Sequence, residues 1–325
     1  MRVIAINYPG YEPWDLEMEA ARRIGADLEV VTYEEFRART RECDAIINGG
    51  CWPFPVEVLD RTGNCKFILS FGTGLDWIDL HLAAQRGITI ANTPLANVES
   101  VATHTLALIL ACVRRVVELD QRVKSGRFDL DGIEPMRSLQ ERRLGLLSFG
   151  NVPRRVCELV KPFRMSVVAH DPFVPADVMQ PYGVQSMSLQ SLLGSADILS
   201  VHTPATKETV GLLNEERLRL LPKGAIVIVT SRGAVYDSAA LARLLQEGHM
   251  AGAGLDVFPE EPLARDDPLL NIPTAVLTPH AAGHARDAVG AYHTAAAAAL
   301  VALHEGRVPD AVVNLSQASK QANGA

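Results

Sequence analysis

The sequence lacks the features that mark several large classes of protein. Its five cysteines are scattered and form no C-x-x-C pair, which argues against a disulfide framework and against a zinc site. Apolar runs such as Thr105 to Val113 and Ala295 to Ala302 are far shorter than the roughly 20 residues of a membrane span. The N-terminus shows no signal-peptide layout. These absences predict a soluble, cytoplasmic protein without a resident metal ion or a membrane partner.

Positive charge is also scarce. The chain has 31 Lys and Arg against 38 Asp and Glu, for a formal net charge of -7. It therefore offers no basic stripe to neutralise phosphates, and we expect no nucleic-acid partner. The 325 residues, 48% hydrophobic and 21% charged, suit two globular domains with substantial cores.

The N-terminal third alternates short apolar runs with helical patterns. Strands are predicted at 2–8, 28–32, 44–48, 66–70 and 88–92, and helices at 12–23, 55–61 and 78–86. Such alternation predicts a parallel sheet covered by helices on both faces. This first α/β run ends near Thr93-Pro94.

A second α/β run follows a long amphipathic helix, predicted at 98–125 with Gly126 as its stop. Its strands are predicted at 144–149, 165–169, 184–187, 197–201, 225–230, 252–256 and 275–277. After His280 an alanine-rich helix is predicted to about Glu305, then a docking segment at 311–314. The small, polar residues 316–325 are expected to be disordered.

These patterns predict two domains. If the C-terminal helix returns to the first domain, that domain comprises residues 1–97 and 288–325, and residues 98–287 are inserted into it. The cleft between two such domains is the usual place for a ligand.

Residues 144–171 have the plan of a dinucleotide-binding βαβ unit. A buried strand leads into a turn at Gly150-Asn151, then a helix and a second strand that ends at an acid, Asp171. The G-x-G-x-x-G fingerprint, however, reads Ser148-Phe149-Gly150-Asn151-Val152-Pro153 and keeps only its middle glycine. Proline is tolerated in a first helical turn, and the N–H groups of Asn151 and Val152 remain able to face an anion. On the fingerprint alone, a βαβ unit that binds no nucleotide remains an alternative.

Three motifs place chemically active side chains after successive predicted strands. Arg232 follows 225–230, Asp256 and Glu261 follow 252–256, and His280 follows 275–277. Ligands of open α/β sheets bind at the carboxyl ends of the strands. Arginine suits a carboxylate, histidine suits proton transfer to a carbonyl oxygen, and a carboxylate such as Glu261 would hold the imidazole in one tautomer. A surface arginine, a solvated acidic loop and a structural histidine are the alternatives taken singly, but the three together favour a site.

In these motifs and in others named below, the chain resembles the D-isomer specific 2-hydroxyacid dehydrogenase family. This family includes phosphoglycerate dehydrogenase, glyoxylate reductase and the C-terminal-binding proteins. The resemblance covers about residues 40 to 314. It rests on ordered motifs: GTGLDWID at 72–79, NTP at 92–94, VATHT at 101–105, HTPAT at 202–206 with Thr209, TSRGAVYD at 230–237, GLDVFPEEPL at 254–263 and TPHAAGH at 278–284.

The resemblance implies an α/β fold of two Rossmann-like doubly wound parallel-sheet domains, with the cofactor domain inserted into a flavodoxin-like substrate domain. It implies that Arg232 binds the substrate carboxylate and that His280, paired with Glu261, is the general acid or base. Backbone groups of Thr73, Gly74 and Leu75 would complete the carboxylate site, with Trp52 as a pocket wall. Members of the family are typically homodimers that pair through the cofactor domains.

The resemblance also implies NAD as the cofactor. Asp171 would bind the adenosine ribose and repel a 2′-phosphate, which makes NADP less favoured. The implied cofactor-binding residues are Ser148, Gly150, Asn151, Val152, Asp171, Thr203, Pro204, Thr209, Thr230, Ser231, Arg232, Asp256, His280, Ala282 and Gly283. Ser148 and Pro153 depart from the family's glycines, and Asn151 from a common arginine. These departures concern the pyrophosphate turn and leave the catalytic trio intact.

We therefore hypothesise an oxidoreductase that moves a hydride between NAD(H) and a small 2-oxo or D-2-hydroxy acid. One alternative is an NAD(H)-sensing regulatory protein of the C-terminal-binding-protein type with little turnover, since a shared fold does not fix function. Another is an enzyme acting on a phosphonate or a formate-like acid, although formate-acting relatives carry glutamine at the position of Glu261. The sequence does not name the acid.

Overall fold

The computed structural model describes residues 1–38, 42–50 and 52–314. Cys51, in the predicted pocket loop, and residues 316–325, predicted to be disordered, lie outside the described residues. Packing divides the chain into two compact units, Met1–Asn97 with the chain from His284 onward, and Val98–Gly283. The second unit thus ends four residues before the boundary expected at 287. His284 belongs to the first unit, where its ring stacks on that of Tyr11 at 5.7 Å.

The first unit is built on a six-stranded sheet in the order β13-β5-β4-β3-β1-β2. Its strands are β1 Arg2–Ile6, β2 Asp27–Val31, β3 Ala45–Asn48, β4 Phe67–Ser70, β5 Thr89–Ala91 and β13 Val312–Asn314. The first five are parallel and follow the flavodoxin-like order 2-1-3-4-5, and β13 adds to β5 in antiparallel fashion. All five predicted strands are confirmed. Their apolar runs were a clear signal, because β3 and β4 are buried along their whole length and β1 along all but its first residue.

Five helices cover this sheet: α1 Asp15–Arg23, α2 Tyr33–Ala38, α3 Val56–Leu59, α4 Leu80–Gln85 and α12 Arg286–His304. The predicted helices at 12–23, 55–61 and 78–86 are confirmed with shorter bounds. The sequence prediction missed α2. It begins with a capping box, in which Glu35 N–H donates to Thr32 Oγ1 at 3.2 Å and Thr32 N–H donates to Glu35 Oε2 at 2.8 Å.

The second unit contains a seven-stranded sheet in the order β12-β11-β10-β9-β6-β7-β8. Its strands, all parallel, are β6 Arg143–Leu147, β7 Ser166–His170, β8 Gln185–Ser186, β9 Ile198–Val201, β10 Ala225–Val229, β11 Met250–Leu255 and β12 Ala275–Leu277. This is the Rossmann order, which reverses between β6 and β9, and ligands of such sheets bind at that point. The predicted α/β class with two parallel sheets is confirmed.

The helices of the second unit are α5 Val98–Val113, α6 Val116–Lys124, α7 Asn151–Val160, α8 Ala176–Met179, α9 Leu189–Leu193, α10 Glu215–Leu218 and α11 Ser238–Gln246. The single helix predicted at 98–125 is therefore wrong. The chain bends by 60° between α5 and α6, where Arg115 takes a left-handed φ of 51°. Neither glycine nor proline marks this bend, and the Arg115 guanidinium is held there by Glu118 at 2.6 Å.

No single helix among the described residues is long and apolar enough to cross a membrane, although α5 and α6 counted together across their bend satisfy the length and composition.

Candidate active site

The site in the second unit lies where three neighbouring strands end. Arg232 follows β10, Glu261 follows β11 and His280 follows β12, and these strands are adjacent in the sheet. Because parallel strands bring their carboxyl ends to one edge, side chains far apart in sequence meet there. The sequence prediction of this trio rested on that expectation.

His280 and Glu261 form a hydrogen-bonded pair. His280 Nδ1 lies 2.8 Å from Glu261 Oε2, and Glu261 Oε1 accepts the Phe258 N–H at 2.9 Å. The hydrogen bond to Glu261 raises the pKa of His280 above its ordinary value, against the opposing effect of burial. Burial acts to raise the pKa of Glu261, but the hydrogen bonds from His280 and Phe258 lower it overall. The imidazole is thus oriented through Nδ1, and about half of its side chain (49%) stays exposed for chemistry at Nε2.

Arg232 is placed beside this pair by a close approach of two loops. A Cβ at Gly233 would lie 1.9 Å from the Phe258 carbonyl carbon, so only glycine fits where the loop after β10 passes the loop after β11. The guanidinium donates to the Ser231 carbonyl at 2.8 Å. Its positive charge acts to lower the pKa of both Glu261 and His280. The arrangement combines a fixed cation, which suits a carboxylate, with a proton-transfer pair.

Asp256 holds the loop that carries His280. Its buried carboxylate accepts hydrogen bonds from Thr278 Oγ1 at 2.5 Å and from the Ala281 and Ala282 N–H groups at 2.8 and 2.9 Å. His104 Nε2 lies 3.5 Å from the same carboxylate. Burial acts to raise the pKa of Asp256, but these hydrogen bonds lower it overall. The His280 N–H donates to the Asp256 carbonyl at 2.8 Å.

This clamp fixes an unusual backbone. His280 has a φ of 52°, in the left-handed region that non-glycine residues rarely adopt. Such a conformation persists only where the surroundings hold it, and here the bonds to Asp256 do so. Sequence reasoning predicted Asp256 as a cofactor-binding residue and missed its positioning role. It also missed His104, since no local pattern connects α5 with the end of β12.

The degenerate fingerprint forms a turn between β6 and α7. Ser148, in the place of the first glycine, has a φ of 82°, and its hydroxyl lies 3.0 Å from Thr203 Oγ1. Gly150 precedes α7, which has no side-chain cap, and a Cβ at Gly150 would meet no atom within 4 Å. The helix therefore presents uncapped N–H groups on an open face, and these features fit an anionic group such as a pyrophosphate.

Asp171 lies directly after β7, beside this turn. Its Oδ2 accepts the Phe149 N–H and its Oδ1 accepts the Phe173 N–H, each at 2.8 Å. Each carboxylate oxygen keeps lone pairs for further donors, such as ribose hydroxyls. The structure thus places the predicted acid at the end of the second strand of the βαβ unit.

The remaining predicted cofactor residues lie on the loops after β9, β10 and β12. Thr203 is buried next to Ser148, and Thr209 closes its loop by donating to the Pro204 carbonyl at 2.5 Å. Thr230 is buried and bonded to Thr105 at 3.0 Å. Ser231 Oγ is buried without a hydrogen-bond partner among the described residues. The last two predicted residues, Ala282 and Gly283, follow His280 on the clamped loop.

The predicted substrate residues of the first unit follow β3 and β4, which are neighbours in its sheet. Trp52 stacks on Tyr33 with ring centroids 5.0 Å apart and donates through Nε1 to the Asn7 carbonyl at 3.1 Å. The loop of Thr73, Gly74 and Leu75 is held by hydrogen bonds to its carbonyl oxygens. Asn92 Nδ2 donates to the Thr73 carbonyl and Trp77 Nε1 donates to the Gly74 carbonyl, both at 2.9 Å. These bonds do not use the N–H groups of the loop.

Among residues 1–38, 42–50 and 52–314, no group of three or more His, Cys, Asp and Glu side chains is placed to hold a metal ion.

Comparisons with known proteins point to one family. The family model described as D-isomer specific 2-hydroxyacid dehydrogenase, NAD binding domain, matches residues 106–282. A glyoxylate reductase from Aeropyrum pernix is 38% identical over 288 residues, which are 87% of this chain and 86% of the relative. One from Korarchaeum cryptofilum is 36% identical over 280 residues, 85% of this chain and 84% of the relative.

Solved structures give the same picture. A D-lactate dehydrogenase from Aquifex aeolicus, solved with NAD and lactic acid, has a TM-score of 0.85 at 28% identity and covers 96% of this chain and 98% of its own. The protein TT0316 from Thermus thermophilus has a TM-score of 0.84 at 35% identity, covering 97% and 100%.

Proposed function

Because the chain belongs to the D-isomer specific 2-hydroxyacid dehydrogenase family and is an NAD-dependent D-2-hydroxyacid dehydrogenase, we propose that His280, Glu261 and Arg232 carry out its chemistry on a small 2-oxo or D-2-hydroxy acid. The family expected from the sequence motifs is confirmed. One observation carries the proposal: the His280–Glu261 pair, at 2.8 Å, stands beside Arg232 on three adjacent strand ends.

His280 moves the proton. In the reducing direction, Nε2 donates a proton to the carbonyl oxygen of the 2-oxo acid, and in the oxidising direction it removes the hydroxyl proton. The Nδ1–H group of His280 remains hydrogen-bonded to Glu261, whose carboxylate stabilises the charged imidazolium. The raised pKa of His280 keeps more of it in the protonated form at neutral pH, which favours its role as an acid. The bound cofactor would supply the hydride as NADH in reduction and accept it as NAD⁺ in oxidation.

Arg232 orients the acid. Its planar guanidinium matches a carboxylate with two parallel hydrogen bonds, and its charge polarises the neighbouring carbonyl. Within the first unit, the N–H groups of Thr73, Gly74 and Leu75 are the proposed donors to a carboxylate, and Trp52 is the proposed wall of a substrate pocket. Their positions on loops after two adjacent strands support this role.

The βαβ unit holds the dinucleotide. The N–H groups at Gly150, Asn151 and Val152 bind the pyrophosphate, because the N-terminus of α7 has no side-chain cap. Asp171 binds the adenosine ribose hydroxyls through the lone pairs left on its two oxygens. Its negative charge repels a 2′-phosphate and favours NAD over NADP.

The protein forms a homodimer through the second unit. Helix α6 has no buried residue, and the segment that follows it exposes Phe128 by 94% and Leu130 by 65%. Large apolar side chains exposed close together in one segment mark a protein-binding surface, and identical copies are the commonest partners.

A panel of 2-oxo acids with NADH tests the proposed activity. The panel contains glyoxylate, pyruvate, hydroxypyruvate and longer 2-oxo acids, and loss of NADH absorbance is followed. Formate and a phosphonate, which would donate a hydride, are tested separately with NAD⁺, and gain of NADH absorbance is followed. We expect turnover with at least one small 2-oxo acid and a D-configured product. Silence across the panel, with NADH binding retained, would instead support an NAD(H)-sensing regulatory protein.

A further inference from the structure

Two consecutive arginines, Arg154 and Arg155, are the fourth and fifth residues of α7, shortly after the pyrophosphate turn. Arg154 and Arg155 lie at the positive end of the helix dipole, where cations are disfavoured. A cation at this end of a helix needs a compensating negative charge, and only one of the two arginines has such a partner within the protein.

Arg155 is neutralised within the protein. Its guanidinium contacts Glu99 at 2.5 Å and Glu158 at 2.6 Å. These two carboxylates hold its pKa above the ordinary value. Its position is therefore explained by ion pairs that tie α7 to α5.

Arg154 has no such partner. In the part of the chain that the structure describes, no carboxylate lies within ion-pair distance of it, and its two terminal amino groups have no hydrogen-bond partner. The side chain is nevertheless fixed. Nε donates to the Phe149 carbonyl at 3.1 Å, and the guanidinium lies over the Phe149 ring, 5.6 Å from its centroid.

Phe149 is a rigid anchor in the middle of the turn. Its ring is completely buried, and its N–H is bonded to Asp171. By holding Nε and the ring face, Phe149 keeps the arginine next to Ser148 and Gly150 and leaves its outer N–H groups free to bind a ligand. The neighbouring Asn151 carries no charge, so Arg154 is the cation that this turn offers to a phosphate.

We propose that Arg154 binds the pyrophosphate of NAD and offsets the loss of two glycines from the turn. The inference rests on the placement of the cofactor proposed above. Arginine forms charge-assisted hydrogen bonds to phosphate oxygens through its outer N–H groups, and its preorganisation on Phe149 limits the entropy lost on binding. Arg154 thus increases the affinity of the protein for the pyrophosphate of NAD and takes no part in hydride or proton transfer.

The experiment measures dissociation constants by titration calorimetry for NADH, ADP, 2′,5′-ADP and adenosine. Arg154→Gln keeps an amide donor for the Phe149 carbonyl but removes the charge, and Arg155→Gln is the matched control on the same turn. We expect Arg154→Gln to weaken ADP and NADH about tenfold, since a hydrogen bond to a charged group is worth about one decade of affinity or more. Adenosine binding and the Arg155→Gln affinities should change less than about twofold.

Several results would overturn the inference. Unchanged ADP affinity in Arg154→Gln would do so, as would equal losses for ADP and adenosine, which would mean that the arginine only shapes the turn. A loss confined to 2′,5′-ADP would move the contact to a 2′-phosphate and equally contradict it. If Arg154→Gln fails to fold in thermal unfolding, Arg154→Lys serves instead, with an expected loss smaller than tenfold for ADP and none for adenosine.

The same titrations separate this inference from the proposed function. Wild-type protein that binds neither NADH nor ADP would contradict the cofactor site itself. Wild-type binding with no effect of Arg154→Gln would contradict the role of Arg154 alone.

Discussion

His280 combines a strained backbone with an exposed imidazole. Its left-handed φ of 52° is held by the Asp256 clamp, and its Nδ1 is held by Glu261. Strain that is over-determined by buried hydrogen bonds is typical of residues whose exact direction matters to function. Two carboxylates therefore control this residue: Asp256 holds its loop, and Glu261 orients its ring and raises its pKa.

Replacing Glu261 with glutamine should move the pH dependence of the reaction. Reduction needs protonated His280, so its rate falls as pH rises through the His280 pKa, which Glu261 raises. Without that charge, the fall should begin at lower pH, and oxidation should rise earlier by the same shift. The profile of kcat/KM against pH measures both. Glu260→Gln, an exposed neighbour, is the control, and superimposable profiles for Glu261→Gln and wild type would exclude the pairing.

Replacing Asp171 with serine should relax the preference for NAD. The variant loses the charge that repels a 2′-phosphate, so the ratio of kcat/KM with NADH to that with NADPH should fall by about tenfold or more. Asp177→Ser, on the exposed first turn of α8, is the matched control and should keep the wild-type ratio. A wild-type enzyme that already prefers NADPH would contradict the role given to Asp171.

The β6–α7 turn is an element in which the sequence departs from the glycine pattern of its family. Ser148 adopts the positive φ that a glycine would accept without strain. Serine remains possible because its hydroxyl bonds to Thr203 and its N–H donates to the His170 carbonyl at 2.8 Å. The replacement of glycine by serine therefore adds a hydroxyl group to the turn and leaves its backbone path unchanged.

Two variants at this position measure the strain. Ser148→Gly and Ser148→Ala both lose the hydroxyl, but only alanine keeps the strain of a φ of 82°. The glycine variant should be more stable than the alanine variant by about 1 kcal/mol, the reverse of the usual order. Urea unfolding gives the difference. An alanine variant that equals or exceeds the glycine variant would show that the turn is unstrained.

Prediction from sequence worked best for elements with one dominant physical signal. Strands buried on both faces appear as short apolar runs, as in β4 and β10, and the residues that follow successive strands led to the proposed catalytic trio. The bend at Arg115 could not be predicted, because the apolar periodicity continues through it. The contact of His104 with Asp256 depends on α5 packing against the sheet, which no local pattern reveals. In contrast, the capping box of α2 was a readable signal.

At the scale of the whole molecule, the second unit is inserted between the parts of the first, and β13 returns the chain to the first sheet beside β5. The proposed function gives the second unit the NAD site and the trio of Arg232, Glu261 and His280, and gives the first unit the other substrate-binding residues. The exposed apolar segment after α6 is the surface that we propose for association with another copy.

Charge placed on that segment should break the dimer. Phe128→Asp with Leu130→Asp should convert the dimer into a monomer, because both side chains are largely exposed in a single copy and would be buried in a pair. Light scattering after size-exclusion chromatography gives the mass. Phe173→Asp, at a position 92% exposed elsewhere in the second unit, should leave the dimer intact. A monomeric wild type would contradict this surface.

The central claim is that His280 transfers the proton in an NAD-dependent reaction on a 2-oxo acid. The most direct measurement compares wild type with His280→Ala, following NADH oxidation by the best 2-oxo acid and NADH affinity in parallel. Turnover should fall by about 10²- to 10⁴-fold, the usual contribution of a general acid, while NADH affinity stays within about twofold. Unchanged turnover in His280→Ala would remove this residue from the mechanism and contradict the claim.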